Sequence, residues 1–196
     1  MRKLAVAVAI MLLFTGCSGN NARSDVQKRI VVTAIGIDEN SISYQTFAPD
    51  EDREIEIFTY DCDSLSEAER SLALETGKEV FTGDVEIIVF AGDGNIEPTL
   101  DYLWHSPDIY MGTKVVFSET TAEKLLETPS EELTGILAVA LEQGVCQKMG
   151  LIDLYNAIYS AEESASVPLF SSGGEISGEI LLKSSPECGI IALYYE

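Results

Sequence analysis

Apolar and polar residues alternate in short runs through the first half of the chain. Residues 30–37 form a β-branched run, and residues 41–48 place Ile42, Tyr44 and Thr46 on one face. Because side chains of a strand point alternately to its two faces, this pattern predicts a β-hairpin with a buried face. The same reasoning predicts three further strands, over residues 53–60, 85–91 and 114–117.

Apolar residues at helical spacing occupy the stretches between these strands. Ser64 and Glu67 have the spacing of a capping box, and Gly77 is a helix stop signal, so they predict a helix between them. Two shorter helices are predicted over residues 96–104 and 121–126 by their recurring leucines and alanines.

The pattern changes at Pro129, from strand-rich before it to helical after it. Beyond that point the sequence predicts two helices, an extended segment and a closing pair of strands, over residues 131–142, 151–161, 167–170, 176–182 and 189–195. The change of period predicts an α+β protein made of two small mixed α/β domains. The first domain spans residues 29–128 and the second, smaller one spans residues 131–196.

The N-terminus carries a different pattern, an unbroken apolar run over residues 4–14 that follows Arg2 and Lys3. This arrangement predicts a secretory signal peptide over residues 1–16, and the run is shorter than the ~20 residues that span a bilayer. Cys17 follows two small residues and resembles the lipidated cysteine of a bacterial lipoprotein; an ordinary signal peptide with a chance cysteine is the alternative. The polar segment 17–28 then reads as a tether next to the lipid.

The charge of the chain excludes several kinds of partner. The formal net charge is −21, and removal of Arg2 and Lys3 with the signal leaves 10 basic and 33 acidic side chains, a charge of −23. We therefore expect no binding to nucleic acid, whose phosphates need lysine and arginine. We also expect contact with the membrane only through the lipid anchor.

The sequence predicts neither catalytic residues nor a metal or cofactor site. His105 is the single histidine, and neither a Gly-x-Ser-x-Gly elbow nor a Cys-x-x-Cys pair occurs. Three cysteines remain after Cys17, and we interpret them as buried small hydrophobic residues, with a Cys146–Cys188 bridge as the alternative. We therefore expect a protein that is not an enzyme.

Three aromatic residues, Tyr102, Trp104 and Tyr110, cluster around a proline turn. Core packing is the simpler explanation of these rings, and an aromatic recognition face is the alternative. We take these three residues as the candidate partner face.

The order of these segments resembles the C subunit of spore germinant receptors, the GerAC-type lipoproteins. The stretches that carry the resemblance are residues 14–17, 30–38, 64–73, 76–81, 85–90, 100–109, 114–117, 122–126, 167–169 and 178–182. The resemblance covers residues 17–196, the first two domains of the family, and implies that the family's third domain is absent.

The resemblance implies a lipid-anchored, non-enzymatic subunit of a membrane nutrient receptor that acts in spore germination. Its partners would be the membrane-embedded receptor subunits, and its place the outer face of the cell or spore inner membrane. The alternative is a solute-binding lipoprotein that presents its acidic surface to a soluble ligand, with a cation or a sugar drawn to it.

Overall fold

The computed structural model of the chain describes residues 28–47, 55–92, 96–160, 164–185 and 189–195. Helices and strands mix along this range, so the α+β class predicted from the sequence is confirmed. The strands are β1 (Arg29–Ile37), β2 (Ile42–Phe47), β3 (Ile55–Tyr60), β4 (Glu79–Phe81), β5 (Ile87–Ala91), β6 (Lys114–Ser118), β7 (Ser164–Phe170), β8 (Ile176–Ser185) and β9 (Gly189–Tyr195). The helices are α1 (Leu65–Thr76), α2 (Ile96–His105), α3 (Ala122–Leu125), α4 (Ser130–Glu142) and α5 (Leu151–Tyr159).

The nine described strands lie in one mixed sheet in the order β3-β2-β1-β5-β6-β7-β8-β9, and β4 pairs with the beginning of β1. Strands β1, β5, β6 and β7 run parallel in the centre. Antiparallel strands extend the sheet on both sides, β2 and β3 on one and β8 and β9 on the other.

Helices cover both faces of this sheet. Helices α1, α2 and α5 contribute buried residues to the core on one face, and α3 and α4 to the core on the other. Strand β5 separates the two cores, with Ile88 and Phe90 in the first and Ile87 and Val89 in the second. All five residues of β5 are buried, because helices cover this strand on both sides.

The prediction of two separate domains with separate sheets is wrong. Strand β6 belongs to the first predicted domain and β7 to the second, yet they pair in parallel through Phe117 and Leu169. Parallel neighbours require a crossover connection, and helices α3 to α5 form it. The change of pattern at Pro129 therefore marks the helical crossover of one sheet rather than a domain boundary.

Gln45 fixes this crossover to the sheet from inside the protein. Its side chain is fully buried on β2, and Nε2 donates to the carbonyl oxygens of Leu126 at 2.6 Å and Thr128 at 2.8 Å. Its Oε1 accepts from the Ser130 backbone N–H at 2.8 Å and from the Thr33 hydroxyl at 3.1 Å. One side chain thus satisfies four polar groups, three of them in the short segment 126–130 around Pro129.

A bulge in β1 allows apolar side chains before and after it to pack into the same core. The pairing with β2 shifts between Val32 and Ala34, which leaves Thr33 as an extra residue. Val32 and Ile35 both face the first core, although three positions separate them and a regular strand would place them on opposite faces. The alternation of residues 30–37 is therefore interrupted by one residue.

Local signals fix both ends of α1, and a carboxylate distant in sequence fixes the start of α3. Ser64 begins α1, with its Oγ accepting from the Glu67 N–H at 3.3 Å, and Gly77 ends it in the left-handed conformation at φ 65°. The carboxylate of Asp38, at the end of β1, accepts from the Ala122 N–H at 2.8 Å and so holds the start of α3 against the sheet.

Candidate functional site

The three aromatic residues predicted as a partner face lie in different surroundings. Tyr102 turns toward α1, where its hydroxyl donates to Glu69 Oε2 at 2.8 Å and its ring packs against the core. Trp104 turns toward α5, and Tyr110 lies in the loop after α2 with 73% of its surface exposed. The structure therefore does not bring the three rings together.

Trp104 instead joins two tyrosines of α5 in an aromatic column, the stack of Trp104, Tyr155 and Tyr159. The ring centroids of Trp104 and Tyr155 lie 4.0 Å apart at 15°, and those of Tyr155 and Tyr159 lie 4.4 Å apart at 39°. Tyr155 is half-buried between its neighbours, while Trp104 and Tyr159 are 39% and 51% exposed. The column therefore runs across the surface where α2 and α5 meet.

Two carboxylates border the aromatic column. Burial raises the pKa of the Tyr159 phenol above its ordinary value, and Glu97, Tyr155 and Asp101 add to the rise. Glu97 and Asp101 are exposed residues of α2, so their negative charges face solvent beside the rings. This surface combines exposed π faces with negative charge.

Tyr102 separates two small cavities, each of about 240 Å³, beside α2. Glu69, His105 and Asp108 line the first cavity, and Asp63 and Asp101 line the second. Carboxylates, an imidazole and a phenol can hydrogen-bond a polar or cationic group there.

The Glu69 carboxyl has a perturbed acidity in the first cavity. Burial raises its pKa above the ordinary value of 4.5; the hydrogen bond from Tyr102 opposes the rise and the charge of Asp108 adds to it. A carboxyl with a raised pKa in the folded state binds its proton more tightly there than in the unfolded chain. The folded protein is consequently less stable once pH passes through that raised value.

We expect a Glu69→Gln variant to gain stability relative to the wild type as pH rises. The wild-type contribution of this carboxyl is complete below its unfolded pKa of 4.5 and falls as pH rises through the folded value. Glutamine keeps an oxygen that accepts from Tyr102. Urea unfolding of both proteins at several pH values between about 4 and 7 measures the difference.

Glu56→Gln on strand β3 is the matched control, because that side chain is exposed and lies outside this cavity. The difference between Glu69→Gln and the wild type should widen with pH more than the difference for the control. Equal slopes for the two variants would contradict a raised pKa of the Glu69 carboxyl.

A larger cavity of about 490 Å³ lies beside Tyr110. Tyr110 lines it with Phe47 from β2, and Asp84 and Glu86 contribute carboxylates to its wall. Tyr110 therefore belongs with this cavity and not with the aromatic column.

The imidazole of His105 and the thiols of Cys62 and Cys146 are described groups of the types that act as bases and nucleophiles. His105 Nδ1 lies 2.7 Å from the carbonyl oxygen of Asp101, on the exposed end of α2. Burial raises the pKa of the Cys62 and Cys146 thiols, which keeps them protonated and weakly nucleophilic. Among the described residues, no group of three or more histidine, cysteine, aspartate or glutamate side chains is placed to hold a metal ion.

Several predictions concern residues outside the described ranges, where the signal peptide over residues 1–16 and residues 17–27 of the tether also lie. Cys17, the predicted lipidation site, and Cys188, the alternative partner of Cys146, both lie there. Within the described ranges, each helix is too short or too polar to cross a membrane.

Sequence analysis missed Tyr155 and Tyr159 as part of a surface site. Their spacing of four residues on a helix is a signal that the two rings share one face. Their contact with Trp104 depends on the packing of α5 beside α2, which no local pattern reveals.

Comparisons with known proteins identify the family. Searches against curated proteins and against solved structures return no match. A family model described as the spore germination protein N-terminal domain matches residues 22–172, well over half of the chain. The match spans β1 to β7, which is the whole first predicted domain and residues 131–172 of the second, in agreement with the GerAC-type resemblance. The chain therefore belongs to the spore germination protein N-terminal domain family.

Proposed function

We propose that this chain is a lipid-anchored, non-enzymatic subunit of a membrane receptor for nutrients in spore germination. The family match over residues 22–172 is the observation that carries the proposal, because it supports a role in germination. The subunit would sit at the outer face of the cell or spore inner membrane and contact membrane-embedded receptor subunits.

The surroundings of the reactive side chains support a binding role rather than catalysis. Within the described residues, the His105 ring is hydrogen-bonded at a helix end and not to a serine or cysteine. Acyl transfer by a nucleophile and its base requires the two side chains within hydrogen-bond reach. We therefore expect the protein to act through contacts with its partners.

The receptor role is tested in the spore-forming organism that encodes the chain. We expect a deletion strain to lose or slow its germination with at least one nutrient, and a plasmid copy to restore it. An affinity-tagged wild-type chain should co-purify a membrane-embedded receptor subunit from detergent-solubilised spore membranes. Normal germination with every nutrient tried, together with no such subunit in the purified material, would falsify the receptor role.

The anchor has its own test in a Cys17→Ala variant. We expect the wild type in the membrane fraction and the variant largely in the soluble fraction, since each buried CH₂ of a lipid contributes ~0.8 kcal/mol and two chains give stable anchoring. Immunoblots of fractionated cells measure the distribution. Cys62→Ala is the matched control, and equal membrane retention of all three proteins would exclude lipidation of Cys17 as the anchor.

The second candidate is a solute-binding lipoprotein. The cavity of about 490 Å³ favours it, because this volume suits a small molecule and Asp84 and Glu86 suit a cationic one. Gene context separates the two candidates. Neighbouring genes for membrane-embedded receptor subunits favour the receptor role, and a transporter operon favours solute binding.

A further inference from the structure

The aromatic column offers free ring faces at both ends. Tyr155 lies between the other two rings, so the outer faces of Trp104 and Tyr159 have no ring against them among the described residues. Both side chains remain 39% and 51% exposed despite the stacking. Two large aromatic residues are thus stacked at the surface with free faces, and aromatic anchors are typical of binding surfaces.

The charge around the aromatic column has one sign. Helices α2 and α5 contain no lysine or arginine, and Glu97 and Asp101 lie close enough to Tyr159 to raise the pKa of its phenol. The imidazole of His105 ends α2 next to Trp104, and its Nδ1 lies 2.7 Å from the backbone carbonyl oxygen of Asp101 and 3.6 Å from the Asp101 carboxylate. A cation above these rings would meet π faces and carboxylates together.

We propose that the aromatic column, with Glu97 and Asp101, is a docking surface for an arginine-bearing segment of a partner protein. A guanidinium is planar and stacks on aromatic faces while its N–H groups reach carboxylates. The surface supplies both features side by side. Lysine supplies the charge without the planar group, so arginine is the better fit.

The shape of the surface favours a protein segment over a small molecule. Small-molecule sites are concave and enclose most of their ligand. The three rings of the aromatic column line none of the three cavities described above, and Asp101 is the one residue that the proposed surface shares with a cavity lining. A second copy of this chain is a poor occupant because the formal charge of −21 opposes self-association.

The inference stands apart from the receptor proposal, because its test needs neither a membrane nor a spore. Trp104 is the single tryptophan of the chain, so intrinsic tryptophan fluorescence reports directly on this surface. The probe is a hexapeptide in which three arginines alternate with glycine. Matched peptides carry citrulline, which is neutral and nearly the same shape, or lysine in place of arginine.

We expect saturable quenching or a shift of the Trp104 emission with the arginine peptide, weaker binding of the lysine peptide and none of the citrulline peptide. Tyr159→Leu should weaken arginine-peptide binding about 2- to 5-fold, the range for an exposed cation–π contact. The double variant Glu97→Gln with Asp101→Asn should weaken it about 5-fold and reduce its dependence on salt.

Leu74→Ala is the control, since Leu74 is 78% exposed on α1, lies outside the aromatic column and lines none of the three cavities, so this variant should bind like the wild type. Circular dichroism checks that every variant is folded. Equal binding of the citrulline peptide, or unchanged binding by Tyr159→Leu, would overturn the proposal. Binding of free arginine amide as tight as that of the peptide would indicate a small-ligand site instead, and an emission change with protein concentration alone would indicate a second copy.

Discussion

A Gln45→Leu variant should unfold with a loss of stability on the order of 4 kcal/mol. Leucine has a similar volume but removes the partner of three backbone groups: the carbonyl oxygens of buried Leu126 and half-buried Thr128, and the N–H of buried Ser130. The Thr33 hydroxyl loses its hydrogen bond to Oε1 as well. Each buried polar group left unpaired costs about 1–3 kcal/mol, and relaxation of the segment recovers part of the sum.

Equilibrium unfolding in urea measures this loss. Gln147→Leu is the matched control, because Gln147 is exposed and the same substitution there should change the free energy of unfolding by less than about 0.5 kcal/mol. A second variant, Gln45→Glu, keeps the shape and removes only the Nε2 donor. It should lose as much stability at neutral pH, because a carboxylate oxygen would face two carbonyl oxygens. Equal urea midpoints for Gln45→Leu and Gln147→Leu would contradict the role of Gln45.

Patterns contained within a few residues were sufficient to predict most elements. The Ser64 cap and the Gly77 stop lie within one segment, and the structure places both as the sequence predicts. The buried run of β5 and the amphipathic helix α4 are likewise local features. Strand β4 was missed because its three residues have no pattern of their own and are defined by pairing with β1.

The domain prediction failed because the decisive contacts join distant residues. Gln45 bonds to Leu126 and Thr128 across 81 and 83 positions of sequence. A glutamine inside a strand pattern reads as a solvent-facing residue, and nothing nearby in sequence shows that it is buried. The break at Pro129 is real as a local signal, but only the parallel pairing of β6 with β7 shows that the chain crosses over and returns to the same sheet.

In the candidate site too, local patterns located one residue, and contacts between distant residues determine its neighbours. The sequence pattern grouped Trp104 with Tyr102 and Tyr110 because these three aromatic residues lie around a proline turn. Residues two positions apart on a helix lie on different faces. Tyr102 therefore contacts α1, while Trp104 stacks on a ring of α5. The partners of Trp104 lie about fifty positions later, and only the packing of two helices brings them beside it.

A Gly36→Val variant should lose about 2–3 kcal/mol of stability through overpacking. Gly36 lies within β1, where α3 approaches the sheet so closely that a Cβ atom would be 3.0 Å from Leu126 Cδ1 and 3.1 Å from Ala122 Cβ. The preference of valine for strands gains at most ~1 kcal/mol, less than the cost of forcing three carbons into this space. The repulsion therefore dominates.

The matched control is Gly135→Val on α4. Gly135 is exposed and nothing lies within 4 Å of the position that its Cβ would take. Glycine and valine differ by only a few tenths of a kcal/mol in helix propensity, so this variant should stay within about 0.5 kcal/mol of the wild type. Equal stabilities of the two variants would show that α3 yields to the added side chain without cost.

Gly36 and Gln45 hold the same segment to the sheet, so their substitutions should not add. The Leu126 side chain lies against Gly36. The Leu126 carbonyl oxygen accepts a hydrogen bond from Gln45 Nε2 at 2.6 Å. Valine at position 36 pushes α3 outward and weakens that hydrogen bond before Gln45 is removed. We therefore expect the double variant to lose less stability than the sum of the single losses, by about 0.5–1 kcal/mol. Gly36→Val combined with Gln147→Leu should be additive, and additivity of both pairs would refute a shared action through Leu126.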